Sequence, residues 1–290
     1  MESVSNNVNH FSSFLCRNAA VRRPGAEMLD VLYEDNHLLA VNKPAMLPTM
    51  GVDAARPSLI ALAKDYIRRK YNKPGNVYLG IVSRLDAPVT GVLLIARTSK
   101  SAARLTAQFR ERDVEKIYWA LVEGRVEPAA GRLVHHLRKD ERHRRMHVCQ
   151  PGAAGAQRAD LDYRVMAKEG ETRRQGDKEL ETNTGESPCL PLSLSPCLLS
   201  PGLTLLEVQL LTGRKHQIRV QLADAGWPVL GDRKYGGRRA FPNGIGLHSR
   251  RLTFEHPTRK EPITIEAPLP PSWHRFVTLG DEASPPGTTT

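Results

Sequence analysis

Apolar residues fall in short runs separated by polar turns along most of the chain. Residues 29–33 and 37–41 flank Glu34-Asp35-Asn36, a hairpin signal that ends at Lys43-Pro44. A helical pattern covers 58–71. A strand over 77–83 then runs into a loop carrying Pro88 and Gly91, and 92–96 reads as a buried strand. Thr98 or Ser99 can cap a helix on which Ala102, Leu105 and Phe109 share a face. Another strand over 117–122 is closed by Gly124. Further on, an apolar run over 203–211 leads through the turn Thr212-Gly213-Arg214 into a helix. There Ile218, Leu222 and Ala225 lie on one side, and Gly226 is the stop. Residues 252–254 and 263–265, around His256-Pro257-Thr258, form a closing hairpin. Strands and helices are mixed without strict alternation, which predicts an α+β fold: a single domain with a mixed, mostly antiparallel central sheet.

One stretch breaks the pattern. Residues 169–201 are polar and charged in their first half and rich in Pro, Ser and Leu in their second, where Ser187-Pro188-Cys189-Leu190 nearly recurs as Ser195-Pro196-Cys197-Leu198. Such a composition has little to pack with, so the segment is expected to be a disordered insertion. The expected organisation is a disordered leader over 1–26, a catalytic domain over 27–270 containing that insertion, and a flexible tail over 271–290.

Charge narrows the range of partners. Lys and Arg number 42 against 31 Asp and Glu, a formal net charge of +11, and the mean hydropathy is −0.41. A cationic excess of that size suits a polyanion such as RNA, although a merely basic protein would share it. No stretch reaches the roughly 20 apolar residues that span a bilayer. The first 25 residues lack a signal-peptide core, so a cytoplasmic protein is expected. Cys16, Cys149, Cys189 and Cys197 are scattered without a CxxC pair. His135, His136, His143 and His147 sit among Arg138, Lys139, Arg142, Arg144 and Arg145, whose charge repels a cation, so no metal is expected.

Two places carry candidate chemistry. Asp86 lies in Ser83-Arg84-Leu85-Asp86-Ala87-Pro88-Val89-Thr90-Gly91, a polar loop between apolar strands. A carboxylate beside an arginine at such a corner fits a functional loop and equally an ordinary salt bridge. In residues 212–236, Arg214, Lys215, His216, Gln217 and Arg219 crowd a helix start, where the dipole favours anions. Arg219 follows Ile218 directly and is expected to point off the apolar face.

Arg84-Leu85-Asp86 with Thr90-Gly91 resembles the catalytic motif of the RluA-type pseudouridine synthases. So do Asn42-Lys43-Pro44, the run 92–112, Lys116-Ile117-Tyr118, residues 212–235, Leu247-His248 and His256-Pro257. The resemblance covers roughly 28–168 and 203–268 in the family's order. Any one of these motifs is weak alone, and their common order makes them specific. The family usually has histidine before Arg-Leu-Asp, where this chain has Ser83, and Thr-Ser-Gly where it has Val89-Thr90-Gly91.

The resemblance implies a central RNA-binding cleft and a set of roles. Asp86 matches the nucleophile that attacks a flipped uridine. Arg84 matches the arginine that fills the space the base vacates. Tyr118 matches the tyrosine that stacks on uracil and serves in removing the C5 proton, and Arg219 the basic residue paired with the aspartate. Arg214 and His216 are expected to bind substrate. These roles suit the chemistry: breaking a C–N glycosidic bond builds positive charge at C1′ that a carboxylate can trap. The base must also leave its stack first. The expected protein is an isomerase converting uridine to pseudouridine in ribosomal or transfer RNA, with no cofactor, acting as a monomer. Target selection is expected to lie within the catalytic domain. The alternatives are a catalytically silent RNA-binding protein on the same scaffold and a carboxylate glycosidase, which would need a second acid.

Overall fold

A computed structural model describes residues 29–51, 57–143, 145–168 and 198–278. The first hairpin joins β1 (Val31–Glu34) to β2 (Leu38–Lys43). Its turn is made by the Asp35 carboxylate, which accepts from the backbone N–H groups of His37 and Leu38 at 2.7 Å each. Helix α1 (Leu59–Lys70) begins at Ser58, whose side chain accepts from the Ala61 N–H, and it buries Leu59, Ala63 and Ile67 along one stripe. Of the expected strand over 77–83 only β3 (Gly80–Ile81) pairs, because the chain then leaves the sheet to form the Asp86 loop. The loop returns into β4 (Thr90–Ala96), buried at every position. Its residues alternate: Val92, Leu94 and Ala96 pack with Leu105 of helix α2 (Ser99–Glu111), whereas Leu93 and Ile95 pack with α1. A strand covered on both faces reads as a continuous apolar run.

Strand β5 (Glu115–Glu123) leads to three strands that the apolar pattern does not announce: β6 (Ala130–Asp140), β7 (Arg145–Cys149) and β8 (Gln157–Lys168). They are polar on one side; β7 pairs with β6 in a local hairpin, and β8 pairs with β6 and with β10. After β9 (Leu198–Leu199) come β10 (Leu203–Leu210), α3 (Gln217–Asp224), β11 (Leu247–Glu255), β12 (Pro262–Glu266) and β13 (Val277–Thr278). The main sheet runs β1-β2-β4-β11-β5-β10-β8-β6-β7, with β3 on β4 and β12 on β11. Among the described strands, only β4 and β11 pair in parallel. The fold is therefore α+β with a mixed, mostly antiparallel sheet.

Two boundaries move. Leu198 and Leu199 pair with Thr278 and Val277, so the end of the expected insertion and the start of the expected tail are structured. Trp273 is fully buried against Phe241 and His248. The tail therefore belongs to the core as far as Thr278, because Trp273 and Val277 are buried and Phe276 stacks on Phe241, which together anchor a segment expected to be flexible. The leader, the bulk of the insertion and the last twelve positions of the expected tail lie outside the described residues.

Candidate active site

Asp86 projects from the loop between β3 and β4, and buried groups hold that loop from behind. Lys43, at the end of β2 and fully buried, donates from Nζ to the carbonyls of Pro44 (2.8 Å), Leu47 (2.9 Å) and Ala87 (3.0 Å). Burial pushes its pKa down to about 7, with the charge of Asp86 acting the other way. Three carbonyl acceptors match the three donors of an ammonium, an arrangement that favours the charged form. Thr49 accepts from the Leu85 N–H and donates to the Leu85 carbonyl. A turn closes where the Val89 N–H meets the Asp86 carbonyl at 3.1 Å. Gly91 then takes φ +108°, and a Cβ there would collide with the Ser249 carbonyl of β11. Only glycine lets the loop rejoin the sheet beside that strand.

Helix α3 supplies the cation. It is buried all round, including Gln217, Arg219 and Gln221. Arg219 does not point into solvent: its Nε and Nη2 donate to the two oxygens of Asp232 at 2.6 and 2.8 Å, and Nη1 donates to Asp86 Oδ2 at 2.8 Å. Its guanidinium lies over the Tyr235 ring, 5.0 Å from the centroid. Two carboxylates raise the arginine's pKa against the opposing effect of burial. Asp86 Oδ1 is left 3.7 Å from His216 Nε2.

His216 precedes α3 with left-handed backbone, φ +54°. Its Nδ1 lies 2.7 Å from the Tyr235 hydroxyl, which in turn accepts from the Met146 N–H of β7 at 3.0 Å. Burial pushes its pKa down to about 4. The charges of Arg219, Lys234 and Lys215 add to this and Asp86 opposes it. The imidazole beside Asp86 is thus neutral at physiological pH.

All six residues singled out in the sequence, Arg84, Asp86, Tyr118, Arg214, His216 and Arg219, line one cavity of about 480 Å³. Asp86 is the only carboxylate among the described residues lining it. Tyr118 faces it from β5, half-buried. Burial pushes its phenol up to about 12, with Ser249 acting against that and Asp86 adding to it. Arg84 is exposed at the rim. Arg214 donates through Nε to the Arg158 carbonyl at 3.1 Å.

Sequence reasoning missed Asp232, Tyr235 and the restraining contacts of Lys43 and Thr49. Asp232 carried no sequence signal, because the burial of Arg219 that calls for a second carboxylate is visible only in the structure.

Comparison with known proteins accords with this arrangement. The sequence model of the family described as RNA pseudouridylate synthase matches residues 37–224. The chain is 30% identical over 243 residues to an uncharacterized RNA pseudouridine synthase, YhcT, of Bacillus subtilis, spanning 83% of this chain and 69% of that protein. It is 33% identical over 253 residues to tRNA pseudouridine synthase C of Haemophilus ducreyi, spanning 84% and 93%. Ribosomal large subunit pseudouridine synthase C of Vibrio vulnificus is 29% identical over 252 residues, spanning 84% and 67%. The fold is shared with human RNA pseudouridylate synthase domain containing 4, at a TM-score of 0.64 and 22% identity over 87% of this chain and 95% of that one.

The fold and these matches define an RNA-modifying isomerase. More specifically, the chain belongs to the RluA-type RNA pseudouridine synthase family.

Proposed function

We propose that the chain converts uridine to pseudouridine in structured ribosomal or transfer RNA, with Asp86 as the nucleophile. The observation that carries this reading is the Asp86 carboxylate itself. Its Oδ2 is fixed by Arg219, while Oδ1 has no hydrogen-bond donor closer than His216 in a cavity shared with Tyr118. A flipped uridine enters with its uracil against the Tyr118 ring, and Arg84, exposed at the rim, occupies the place the base has left. Asp86 traps C1′ as the C1′–N1 bond breaks. The freed uracil turns and attacks C1′ through C5, the carboxylate departs, C5 loses its proton and N1 gains one. The sequence balances without redox equivalents or a metal.

A phenol held near pKa 12 is neutral at physiological pH. Tyr118 can therefore take the C5 proton only by passing on its own. Arg214 and His216 bind the substrate from the α3 side. We place the enzyme in the cytoplasm as a monomer. Among the described residues no helix is long and apolar enough to cross a membrane.

Asp86→Asn removes charge and nucleophile with little change of shape. Expected are no detectable pseudouridine and RNA binding within a few-fold of wild type. Mapping pseudouridine in total RNA with and without the gene identifies the uridine. An Asp86→Asn chain that still isomerised it would overturn the mechanism.

A further inference from the structure

Every cation deep in the site has a partner except one. Lys43 has three carbonyls, Arg219 two carboxylates and Arg214 one carbonyl. Lys116 lines the same cavity at 8% exposure, with no hydrogen bond or carboxylate within reach among the described residues. Its stem is buried while Nζ stays open to the cavity, so the ammonium sits where a ligand can reach it. Lys116 and Tyr118 are two apart on β5, on the same face and about 6.7 Å apart along the strand. The end of α2 brings Arg110 and Arg112 to the same side of the cavity.

Resting on the pseudouridine synthase reading, we propose that Lys116 binds substrate, its ammonium taking a phosphodiester next to the flipped uridine, with Arg112 beside it. The anion released when the glycosidic bond breaks carries its charge at N1, next to C1′ and hence next to Asp86. Lys116 lies two residues along β5 from Tyr118, beside Arg112 and with no hydrogen bond or ion pair to Asp86 among the described residues. A nucleotide whose base stacks on Tyr118 extends its phosphate along the strand to this end of the cavity. An unpaired cation there recognises a phosphate oxygen through a charge-assisted hydrogen bond.

The test uses the full chain and a transcript containing the uridine that wild type converts. Lys116→Gln is expected to raise KM by about tenfold or more, with kcat within twofold, and Lys116→Arg to recover most of the loss. Uniform binding removed from substrate and transition state alike gives that split. A fall in kcat at unchanged KM would instead assign Lys116 to the departing uracil and overturn the proposal, as would no change in either. A second measurement needs no variant: transcripts with one neutral methylphosphonate, either 5′ or 3′ to the uridine, are given to wild type. One of the two is expected to raise KM comparably and so to identify the phosphate; if neither does, the proposal fails. Should wild type form no pseudouridine in any RNA, the enzymatic reading fails instead. RNA affinity, measured as Kd for wild type and Lys116→Gln, still reports on Lys116.

Discussion

Substituting Tyr118 by phenylalanine keeps the ring that lines the cavity and removes only the hydroxyl beside Ser249 and Asp86. Stacking of about 1–3 kcal/mol per base should survive, so RNA affinity is expected to stay within a few-fold. Loss of a positioned proton-transfer group costs on the order of 100-fold or more in rate, so kcat should fall by at least that much. Tyr118→Ala should lose both. A phenylalanine variant as fast as wild type would leave Tyr118 as a platform and move the proton transfer elsewhere. His248 illustrates a different residue-level effect. It is fully buried, with Nδ1 2.8 Å from the Thr90 hydroxyl and Nε2 3.3 Å from the Ala267 carbonyl. Burial pushes its pKa down from 6.5 to about 4, helped by Arg250 and opposed by the Ala267 carbonyl. The folded chain therefore holds it neutral, whereas the unfolded chain protonates it near pH 6.5. Its contribution to stability is present above that pH and is lost as the pH falls towards 4. Urea midpoints measured from pH 8 to pH 4 should decline over that interval, and less steeply in His248→Asn. Parallel curves would show that other groups carry the acid sensitivity.

At the scale of elements, the chain beyond Pro270 joins the core through Trp273, with Val277 and Phe276 packed beside it. Trp273 is fully buried in contact with Phe241 and His248, and its Nε1 has no hydrogen-bond partner among the described residues. Truncation to alanine should cost about 3–5 kcal/mol. Trp273→Phe should cost much less, since it also removes an unsatisfied polar group. Denaturant unfolding measures both, and equal losses would show that the indole packs specifically rather than by volume. This anchor was illegible in a Pro-rich tail, because one aromatic makes no periodic pattern. Elements built on local rules were legible: the Asp35 turn, the helix over 58–71, the Thr98 cap and the buried run of β4 all follow from neighbouring residues. Strands β6 to β8 were not, since their half-polar faces carry a weak apolar pattern and β8 meets its second partner, β10, only across residues 169–201. Helix α3 was read as amphipathic and is instead buried on every side. The partners of its polar residues are ones that sequence cannot place: Asp232 for Arg219, and the Leu133 and Ala159 carbonyls for Nε2 of Gln221. Of the site, the loop bearing Asp86 and its arginine partner were readable through ordered motifs, and the groups that restrain them were not.

For the whole molecule, the net charge of +11 matters through its placement. The main sheet ends in the β6–β7 hairpin, whose Arg142 and Arg145 are exposed and form no ion pair among the described residues, whereas Lys139 is neutralised by Glu141 at 2.6 Å. The hairpin also touches the site, because the Met146 N–H donates to Tyr235, which bonds to His216 and lies under Arg219. Charge at a sheet edge has two physical uses: it deters pairing with another chain's edge, and it binds a polyanion. They predict different results for Arg142→Gln/Arg145→Gln. If the arginines bind RNA phosphates, the slope of log affinity against log salt should become shallower by about 0.7–0.9 for each phosphate no longer neutralised, so by up to about 1.8. Turnover at saturating RNA should then be unchanged, since neither residue lines the cavity. If they only protect the edge, the slope should stay as in wild type and the variant should self-associate, which sedimentation would reveal. Phosphate binding is the expected outcome, because the hairpin is joined through Tyr235 to the groups around Asp86.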